Sequence, residues 1–250
     1  MSVNPYFERL ALLTGEEGLQ KLQKTSVLIF GAGGVGSWAA EALVRSGIGK
    51  IGVIDNDVIR ASNINRQVEA TSRAIGLPKA DCLKSRLLEI NPECEITSYD
   101  ELFTRENESL FGIESACYVI DAIDSLNHKL DLIIKAVSSG TTLFSSMGMA
   151  FKMDPSKIKA ASIWKTDVCP LARLVRQGLR KLGFSGDFTA VYSSEEVKHE
   201  AFFAGETLDR EKRAKGSIVT VTASAGLTLA SLVIKDVLLR KDASKNLSAV

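Results

Sequence analysis

Short apolar runs alternate with longer stretches of helical spacing over the first 145 residues of the chain. The apolar runs predict five strands, at 26–30, 51–55, 94–99, 117–121 and 141–145. Between them, apolar positions recur at helical spacing at 34–46, 78–90 and 125–138. Strands and helices that alternate in this way are typical of βα units. We therefore predict an α/β fold with a Rossmann-like, mostly parallel sheet and helices on both faces.

The pattern changes after Asp154-Pro155, where a smaller mixed α/β part begins. We predict strands at 158–164 and 188–193, a helix from Pro170 to about Leu182, and a mobile charged segment at 205–216. No linker is long enough to separate independent domains. We therefore expect a single domain over residues 1–250, with a first half at 1–150 that the second part, 151–250, extends.

An uncharged stretch from Gly216 to Ile234 is long enough to cross a membrane. Serine and threonine interrupt it repeatedly, and the charged pair Lys235-Asp236 follows before the apolar pattern ends. All-round apolar helices also occur in the cores of large domains. For 216–240 we therefore expect a helix buried against the sheet and no stable membrane insertion, with a membrane-associated helix as the alternative.

Charge divides the chain unequally, although the net charge is only +1. Residues 1–150 carry 14 Lys and Arg against 19 Asp and Glu, whereas residues 151–250 carry 17 against 11. The basic second half favours a polyanionic partner such as nucleic acid. The four cysteines are far apart and form no Cys-x-x-Cys pair, and the first residues show no export signal. A reduced, cytoplasmic protein without a cysteine zinc site is the expectation.

A glycine-rich turn follows the first predicted strand. Gly31, Gly33 and Gly36 have the G-x-G-x-x-G spacing, with Gly34 inside it, and such a turn brings backbone N–H groups and a helix N-terminus towards a phosphate. Asp55 follows the second strand, nineteen residues after Gly36, where a carboxylate commonly accepts ribose hydroxyls. NAD and ATP explain these residues equally well, and a turn without a ligand is the alternative.

Further polar clusters favour ATP. Lys79 opens a predicted helix, where a cation opposes the macrodipole unless an anion lies nearby, so a phosphate would remove the conflict. Arg66 stands in a polar loop with Asn63, and its planar guanidinium can hold two phosphate oxygens. A solvated lysine and an ordinary loop arginine are the alternatives. Asp57, close to Asp55, completes a predicted ATP and metal site.

Asp121 and Asp124 flank the carboxyl end of the fourth strand, where open parallel sheets bind their ligands. Mg²⁺ prefers one or two carboxylates together with phosphate oxygens and water, so we expect Asp121 at the nucleotide and Asp124 as a magnesium ligand. The alternative for Asp124 is helix capping, which either it or Ser125 could provide. Arg9 precedes the first strand and by itself is an ordinary surface arginine.

Taken in order, these motifs resemble the adenylating superfamily of ubiquitin-activating-type enzymes. The residues that carry the likeness are Gly31 to Gly36, Asp55, Asp57, Asn63, Arg66-Gln67, Lys79 and Asp124. Within the superfamily the chain is most similar to the tRNA threonylcarbamoyladenosine dehydratases, through the segments 31–43, 90–94 and 118–125, Asp154-Pro155 and 170–172. The glycine-poor stretch Ser145 to Met149 departs from that pattern.

The resemblance implies ATP-dependent cyclisation of N6-threonylcarbamoyladenosine in tRNA, through an acyl-adenylate and with Mg²⁺. Arg9, Arg66, Lys79 and Asp124 would be the catalytic residues, and Arg9 would come from the other subunit of a homodimer. Three other functions stay open: adenylation of the C-terminal glycine of a sulfur-carrier protein, NAD-dependent oxidoreduction, and a non-catalytic nucleotide-binding scaffold. A sulfur-acceptor protein is an open partner.

Two features of the second half concern the substrate side. Arg173, Arg176 and Arg180 recur at helical spacing and could follow tRNA phosphates, although a solvated amphipathic face has the same pattern. Leu171, Leu174, Val175 and Leu182 are expected on the opposite, apolar face. Cys169 is the one candidate for a thioester-forming thiol, and an inert cysteine is the favoured interpretation because no base lies nearby in sequence.

Overall fold

The computed structural model describes residues 4–197 and 216–240. A seven-stranded sheet forms its centre, with β1 Ser26–Phe30, β2 Lys50–Ile54, β3 Glu95–Tyr99, β4 Tyr118–Asp121, β5 Thr142–Ser146, β6 Ile158–Ser162 and β7 Thr189–Ser193. The strand order is β3-β2-β1-β4-β5-β7-β6. All neighbouring pairs are parallel except the pair of β6 and β7 at one edge. The predicted Rossmann-like α/β class is confirmed, and both parts of the chain contribute strands to one sheet.

Six α-helices cover the two faces of the sheet in the described residues. They are α1 Glu8–Gln23, α2 Gly36–Arg45, α3 Lys79–Ile90, α4 Leu126–Ser138, α5 Pro170–Lys181 and α6 Val219–Leu239. One apolar cluster joins α2, α3 and α6 to the sheet, and a second joins α4 and α5 to the opposite face. These clusters fix the sheet edge where the strands end, which is the edge that carries the glycine-rich turn.

Helix α6 occupies the uncharged stretch and packs one side against the sheet. It is the one helix in the described segments that is long and apolar enough to cross a membrane, and 44% of its most apolar window is buried. Val221, Ala225, Leu229 and Val233 are buried in the cluster shared with α2. A Cβ on Gly226 would lie 2.4 Å from the carbonyl oxygen of Val35, so α6 and α2 pack with their backbones in close approach.

Two elements differ from the sequence-based expectation. Helix α1 had not been predicted; it contains Gly15 at φ +71°, and its exposed side carries Leu12 and Leu13, so its apolar residues do not form one regular stripe. The predicted strand 158–164 ends at Ser162, and residues 163–165 form a 3₁₀ turn. The charged segment predicted to be mobile, 205–216, lies outside the described residues except for Gly216.

Candidate active site

The glycine-rich turn is closed by contacts that only glycine permits. Gly31 has φ +94°, and a Cβ there would lie 2.8 Å from the carbonyl oxygen of Ala122. A Cβ on Gly36 would lie 1.9 Å from the carbonyl oxygen of Gly31. Gly33 is different, because a Cβ there would have Nε2 of Gln67 as its nearest neighbour, at 3.9 Å. No neighbouring protein atom therefore requires a glycine at position 33. The missing side chain instead suits contact between the backbone and a ligand.

Asp55 extends from the end of β2 towards this turn. Its Oδ2 accepts a hydrogen bond from the backbone N–H of Ala32 at 2.7 Å, and its Oδ1 accepts one from that of Asp57 at 2.9 Å. Burial raises the pKa of Asp55, and the nearby Lys79 ammonium opposes this shift. The carboxylate is therefore fixed beside the glycine-rich turn, where Rossmann-like folds commonly recognise a ribose hydroxyl.

Lys79 begins α3 and is only 6% exposed, so the solvated-lysine alternative is wrong. Its Nζ lies 2.8 Å from Oδ2 of Asp57 and 3.9 Å from Oδ1 of Asp55. These two carboxylates offset the unfavourable interaction between the Lys79 ammonium and the N-terminus of α3. From the sequence, a phosphate had been expected to do this. Since the side chain of Asp57 is 55% exposed, its contact with Lys79 is at the open side of the site.

Arg66 lies across the same turn from the loop that follows β2. Its Cγ lies 3.0 Å from the position that a Cβ on Gly34 would take, and Thr222 of α6 borders the same point. Its Nη1 donates hydrogen bonds to the carbonyl oxygen of Ser62 and to Oδ1 of Asn65. Asn63 is buried and accepts from the backbone of Arg60, so its side chain holds the loop in shape. The structure therefore brings Arg66 to the glycine-rich turn and gives Asn63 a supporting position.

Gln67 and Glu69 are buried polar residues beside this site. The sequence included Gln67 in the motif without giving it a role of its own and did not single out Glu69. Glu69 is 4% exposed, and neither of its carboxylate oxygens has a hydrogen-bond partner in the described parts of the chain; the same holds for Oε1 of Gln67. Burial raises the pKa of Glu69 to about 7. The polar run from Asn63 to Gln67 indicated Gln67, but no pattern in the sequence indicated that Glu69 points inward.

Asp121 needs a correction, because its side chain is fully buried and does not face the site. Its Oδ2 accepts from Nζ of Lys129 at 2.7 Å and from Oγ of Ser145 at 2.6 Å, and its Oδ1 accepts from the backbone of Ile123 at 3.0 Å. Lys129 is also fully buried and donates to the carbonyl oxygen of Ser146. The pair therefore joins β4, β5 and α4 behind the site, and it offers no oxygen to a nucleotide.

Asp124 is exposed and lies between the two members of this buried pair in the sequence, in the turn that joins β4 to α4. Ser125 is the N-cap residue of α4, but its side chain makes no capping hydrogen bond. The structure thus places the carboxylate of Asp124 at the edge where the parallel strands end, on the same side as the glycine-rich turn. No group of three or more acidic, histidine or cysteine side chains that could hold a metal occurs within 4–197 and 216–240.

Arg9 lies at a different edge of the sheet from these residues. It is exposed on α1, two residues after Phe7, which packs against Gly47 in front of β2. Asn4 donates a hydrogen bond to Glu93, which precedes β3. These contacts place the start of α1 at the edge where the strands begin, opposite to the glycine-rich turn. Within one chain the structure therefore does not bring Arg9 to the other predicted site residues.

The second half provides a further correction on α5. Ala172, Val175 and Leu179 form its buried side, whereas Leu174 and Leu182, expected on the apolar face, are exposed. Cys169 precedes α5 and is 2% exposed, with its Sγ 3.9 Å from the carbonyl oxygen of Gly148. A thiol that is buried in this way cannot receive an acyl group without rearrangement, which agrees with an inert cysteine.

The fold and the site are typical of nucleotide-binding α/β proteins, with a glycine-rich turn, a fixed carboxylate and two cations at one sheet edge. The ThiF family matches residues 7–249, and the chain belongs to this family. The tRNA threonylcarbamoyladenosine dehydratase of Bacillus subtilis is 37% identical over 239 residues, covering 93% of this chain and 94% of that protein. The corresponding protein of Haemophilus influenzae is 34% identical over 94% of both chains.

Solved structures give the same result. The Escherichia coli tRNA N6-threonylcarbamoyladenosine dehydratase TcdA in complex with ATP has a TM-score of 0.85 and 32% identity, over 95% of this chain and 97% of that one. The same enzyme in complex with AMP has a TM-score of 0.84 and 31% identity, over 95% of this chain and 97% of that one. The likeness therefore extends over the whole fold, including the mixed second half.

Proposed function

We propose that this protein is an ATP-dependent tRNA threonylcarbamoyladenosine dehydratase that cyclises N6-threonylcarbamoyladenosine through an acyl-adenylate. The similarity to dehydratases over nearly the full length of both chains is the observation that carries this proposal. The structure supports it with a glycine-rich turn, Asp55, Lys79 and Arg66 at one sheet edge. ATP suits this site better than NAD, because two cations converge beside the turn where a triphosphate would extend.

The reaction proceeds in two steps. An oxygen of the threonyl carboxylate attacks the α-phosphorus of ATP, the bond to the bridging oxygen breaks, and pyrophosphate leaves. The carbamoyl group then attacks the activated acyl carbon, AMP leaves, and the ring closes with the net loss of water from the nucleoside. Adenylation is needed because a free carboxylate is a poor electrophile, whereas a mixed anhydride with AMP has a good leaving group.

The protein would contribute positioning and charge rather than covalent chemistry. Asp55 would accept the ribose hydroxyls, and the turn from Gly31 to Gly36 would donate backbone N–H groups to phosphate oxygens. Lys79 would exchange its contact with Asp57 for a phosphate oxygen. Arg66 would offset the charge that develops on the leaving pyrophosphate.

The exposed carboxylate of Asp124 would hold Mg²⁺, together with phosphate oxygens. An exposed carboxylate at the ends of the strands is the type of donor that Mg²⁺ uses in nucleotide sites, and the buried Asp121 would fix the strand end beside it. When bound, the ion would neutralise charge on the polyphosphate and act as a Lewis acid.

Arg9 would reach this site from a second subunit, which makes the active form a homodimer. Its location at the opposite sheet edge supports this. Within one chain Arg9 does not meet the other predicted site residues, so it would contribute to catalysis only in the site of a second subunit. The neighbouring Leu12 and Leu13 are 82% and 84% exposed, which suits burial by another chain. Under this proposal residues 1–250 form a single adenylation domain that works in the cytoplasm.

Adenylation of a sulfur-carrier protein is the second candidate. It is favoured by partial matches such as the probable molybdopterin-synthase adenylyltransferase of Porphyra purpurea, 46% identical over 98 residues but covering 39% of this chain and 25% of that protein. These matches cover far less of the chain than the dehydratases do. A sulfur-acceptor protein remains a partner to test.

Pyrophosphate release measured with ATP and Mg²⁺ separates the candidates. We expect release that depends on tRNA carrying N6-threonylcarbamoyladenosine and that is absent with unmodified tRNA. Mass spectrometry of the product nucleoside should show the loss of one water. Release that ignores tRNA but responds to a small carrier protein would replace the proposal with the second candidate.

A further inference from the structure

Helix α5 carries an unusually one-sided charge. Residues 163–182 contain five basic side chains, Lys165, Arg173, Arg176, Arg180 and Lys181, against the single acidic residue Asp167. None of the four basic residues on α5 forms an ion pair with a described residue. A merely solvated helix usually mixes both signs, because opposite charges three or four residues apart stabilise it. Within the part of the chain that the structure describes, no acidic side chain neutralises the cations of this helix.

The cations on α5 do not all have the same freedom. Arg176 is half-buried and donates a hydrogen bond to Oγ1 of Thr166, so it holds the preceding segment against the helix. The guanidinium of Arg180 lies 5.3 Å from the ring centre of Trp164. Arg173 and Lys181 are exposed, and no side-chain hydrogen bond joins either of them to another described residue. The outward face thus presents two cations without a partner among the described residues and one that lies against an aromatic ring.

The position of α5 connects this face to the active site. Cys169 and Leu171, at the start of the helix, lie against Gly148, which follows the end of β5. The end of β5 is joined to β4 by the hydrogen bond between Ser145 and Asp121. The helix therefore begins at the sheet edge that carries Asp124 and runs away from it. A cleft of about 560 Å³ opens at this beginning, lined by Val168, Cys169, Pro170, Arg173, Leu174 and Arg176.

We propose that the outward face of α5, through Arg173, Arg180 and Lys181, binds the phosphate backbone of the part of the tRNA that extends beyond the active site. This rests on the proposed function, and it names the surface that holds the substrate. Arg173 and Arg180 are two helical turns apart, about 10 Å along the axis, so a strand that follows the helix meets cations repeatedly. The polyanion supplies the negative charge that the helix lacks.

The test compares two double variants with matched charge changes. Arg173→Gln/Lys181→Gln removes two exposed cations of α5 that form no ion pair with a described residue. Lys24→Gln/Lys84→Gln removes an exposed and a partly exposed cation on the other face of the sheet, after α1 and on α3, and neither of these forms an ion pair with a described residue. We expect the α5 variant to weaken tRNA binding about tenfold and to reduce the magnitude of the slope of log K against log salt by about 1.4 to 1.8, since each of the two lost phosphate contacts reduces it by about 0.7 to 0.9. ATP affinity, measured by calorimetry, should stay unchanged in both variants.

Equal tRNA affinity and salt slope in the two double variants would overturn the proposal. So would an α5 variant that keeps its tRNA affinity but loses stimulation by a sulfur-acceptor protein, because the face would then dock a protein. These results differ from failure of the proposed function, in which the unaltered protein itself shows no tRNA-dependent release of pyrophosphate.

Discussion

Lys79 and Lys129 are two buried cations near the same sheet edge, and their partners differ. The difference suits Lys79 to the proposed binding of phosphate and Lys129 to stabilising the fold. Lys129 pairs with Asp121, and both side chains have no exposed surface. Lys79 pairs with Asp57, whose side chain is 55% exposed and can return to water. A phosphate can therefore replace Asp57 at small cost, whereas nothing can replace Asp121 without leaving a charge buried.

Substituting each lysine by methionine should separate these roles. Lys129→Met leaves the Asp121 carboxylate buried without its partner and should destabilise the fold by about 3 to 5 kcal/mol. Lys79→Met should cost less, about 1 to 2 kcal/mol, because Asp57 can be hydrated and the largely buried Asp55 keeps its two backbone hydrogen bonds. It should nevertheless weaken ATP binding by about tenfold or more. Urea unfolding and calorimetry with ATP measure the two effects. Equal losses of stability would show that Lys79 is also structural.

Glu69 predicts a dependence of stability on pH. Its pKa is raised by burial from 4.5 to about 7, so the folded state holds a proton that the unfolded state releases. This group therefore lowers stability as pH rises from about 4.5 to about 7, and the full penalty applies above that range. Glu69→Gln should stabilise the protein on the order of 3 kcal/mol at about pH 8 and much less at about pH 5.

Urea unfolding at the two pH values measures this gain. Glu89→Gln, at an exposed position of α3, is the matched control and should show no such difference. A gain in the Glu69 variant that is the same at both pH values would mean that the carboxyl group is not protonated in the folded state.

At the scale of elements, the turn between β1 and α2 combines two kinds of glycine. Gly36→Ala forces a methyl group against the Gly31 carbonyl and should destabilise the fold by several kcal/mol, beyond the usual range of single substitutions. Gly33→Ala meets no protein atom closer than 3.9 Å and should unfold at nearly the unaltered temperature. It should nevertheless weaken ATP binding, because the methyl group occupies the approach to phosphate. Thermal unfolding with and without ATP checks both.

The β-strands and most helices followed from the sequence because their pattern is local. The strand Ser26–Phe30 agrees with the prediction at both ends, and Lys50–Ile54 differs by one residue. Helix α1 did not follow, because Gly15 interrupts its geometry and its leucines face outward. In the site, the order of motifs indicated Gly33, Asp55 and Lys79. The pairing of Asp121 with Lys129 and the burial of Glu69 depend on tertiary contacts that no spacing reveals.

At the scale of the whole molecule, the opposite locations of Arg9 and Asp124 predict complementation between subunits. Arg9→Ala and Asp124→Ala should each abolish turnover with the fold retained. In a mixed dimer of the two, one site would combine an intact Arg9 with an intact Asp124. Random mixing of equal amounts should therefore restore about a quarter of the unaltered activity, since half of the dimers are mixed and each has one working site.

Pyrophosphate release after co-refolding measures this recovery, and circular dichroism confirms folding of each variant. If Arg9 acted within its own subunit, or had no role, the result would be different. In the first case the mixture would stay inactive, and in the second Arg9→Ala alone would keep its activity.

The close approach of α6 to the start of α2 has a consequence for how the protein loses activity. Gly226 touches the backbone of Val35, Thr222 borders Arg66, and Asn65 donates a hydrogen bond to the carbonyl oxygen of Ser217. The apolar helix α6 therefore packs directly beneath the part of the glycine-rich turn where a triphosphate would bind. Local unfolding of α6 would therefore weaken nucleotide binding while the sheet is still folded.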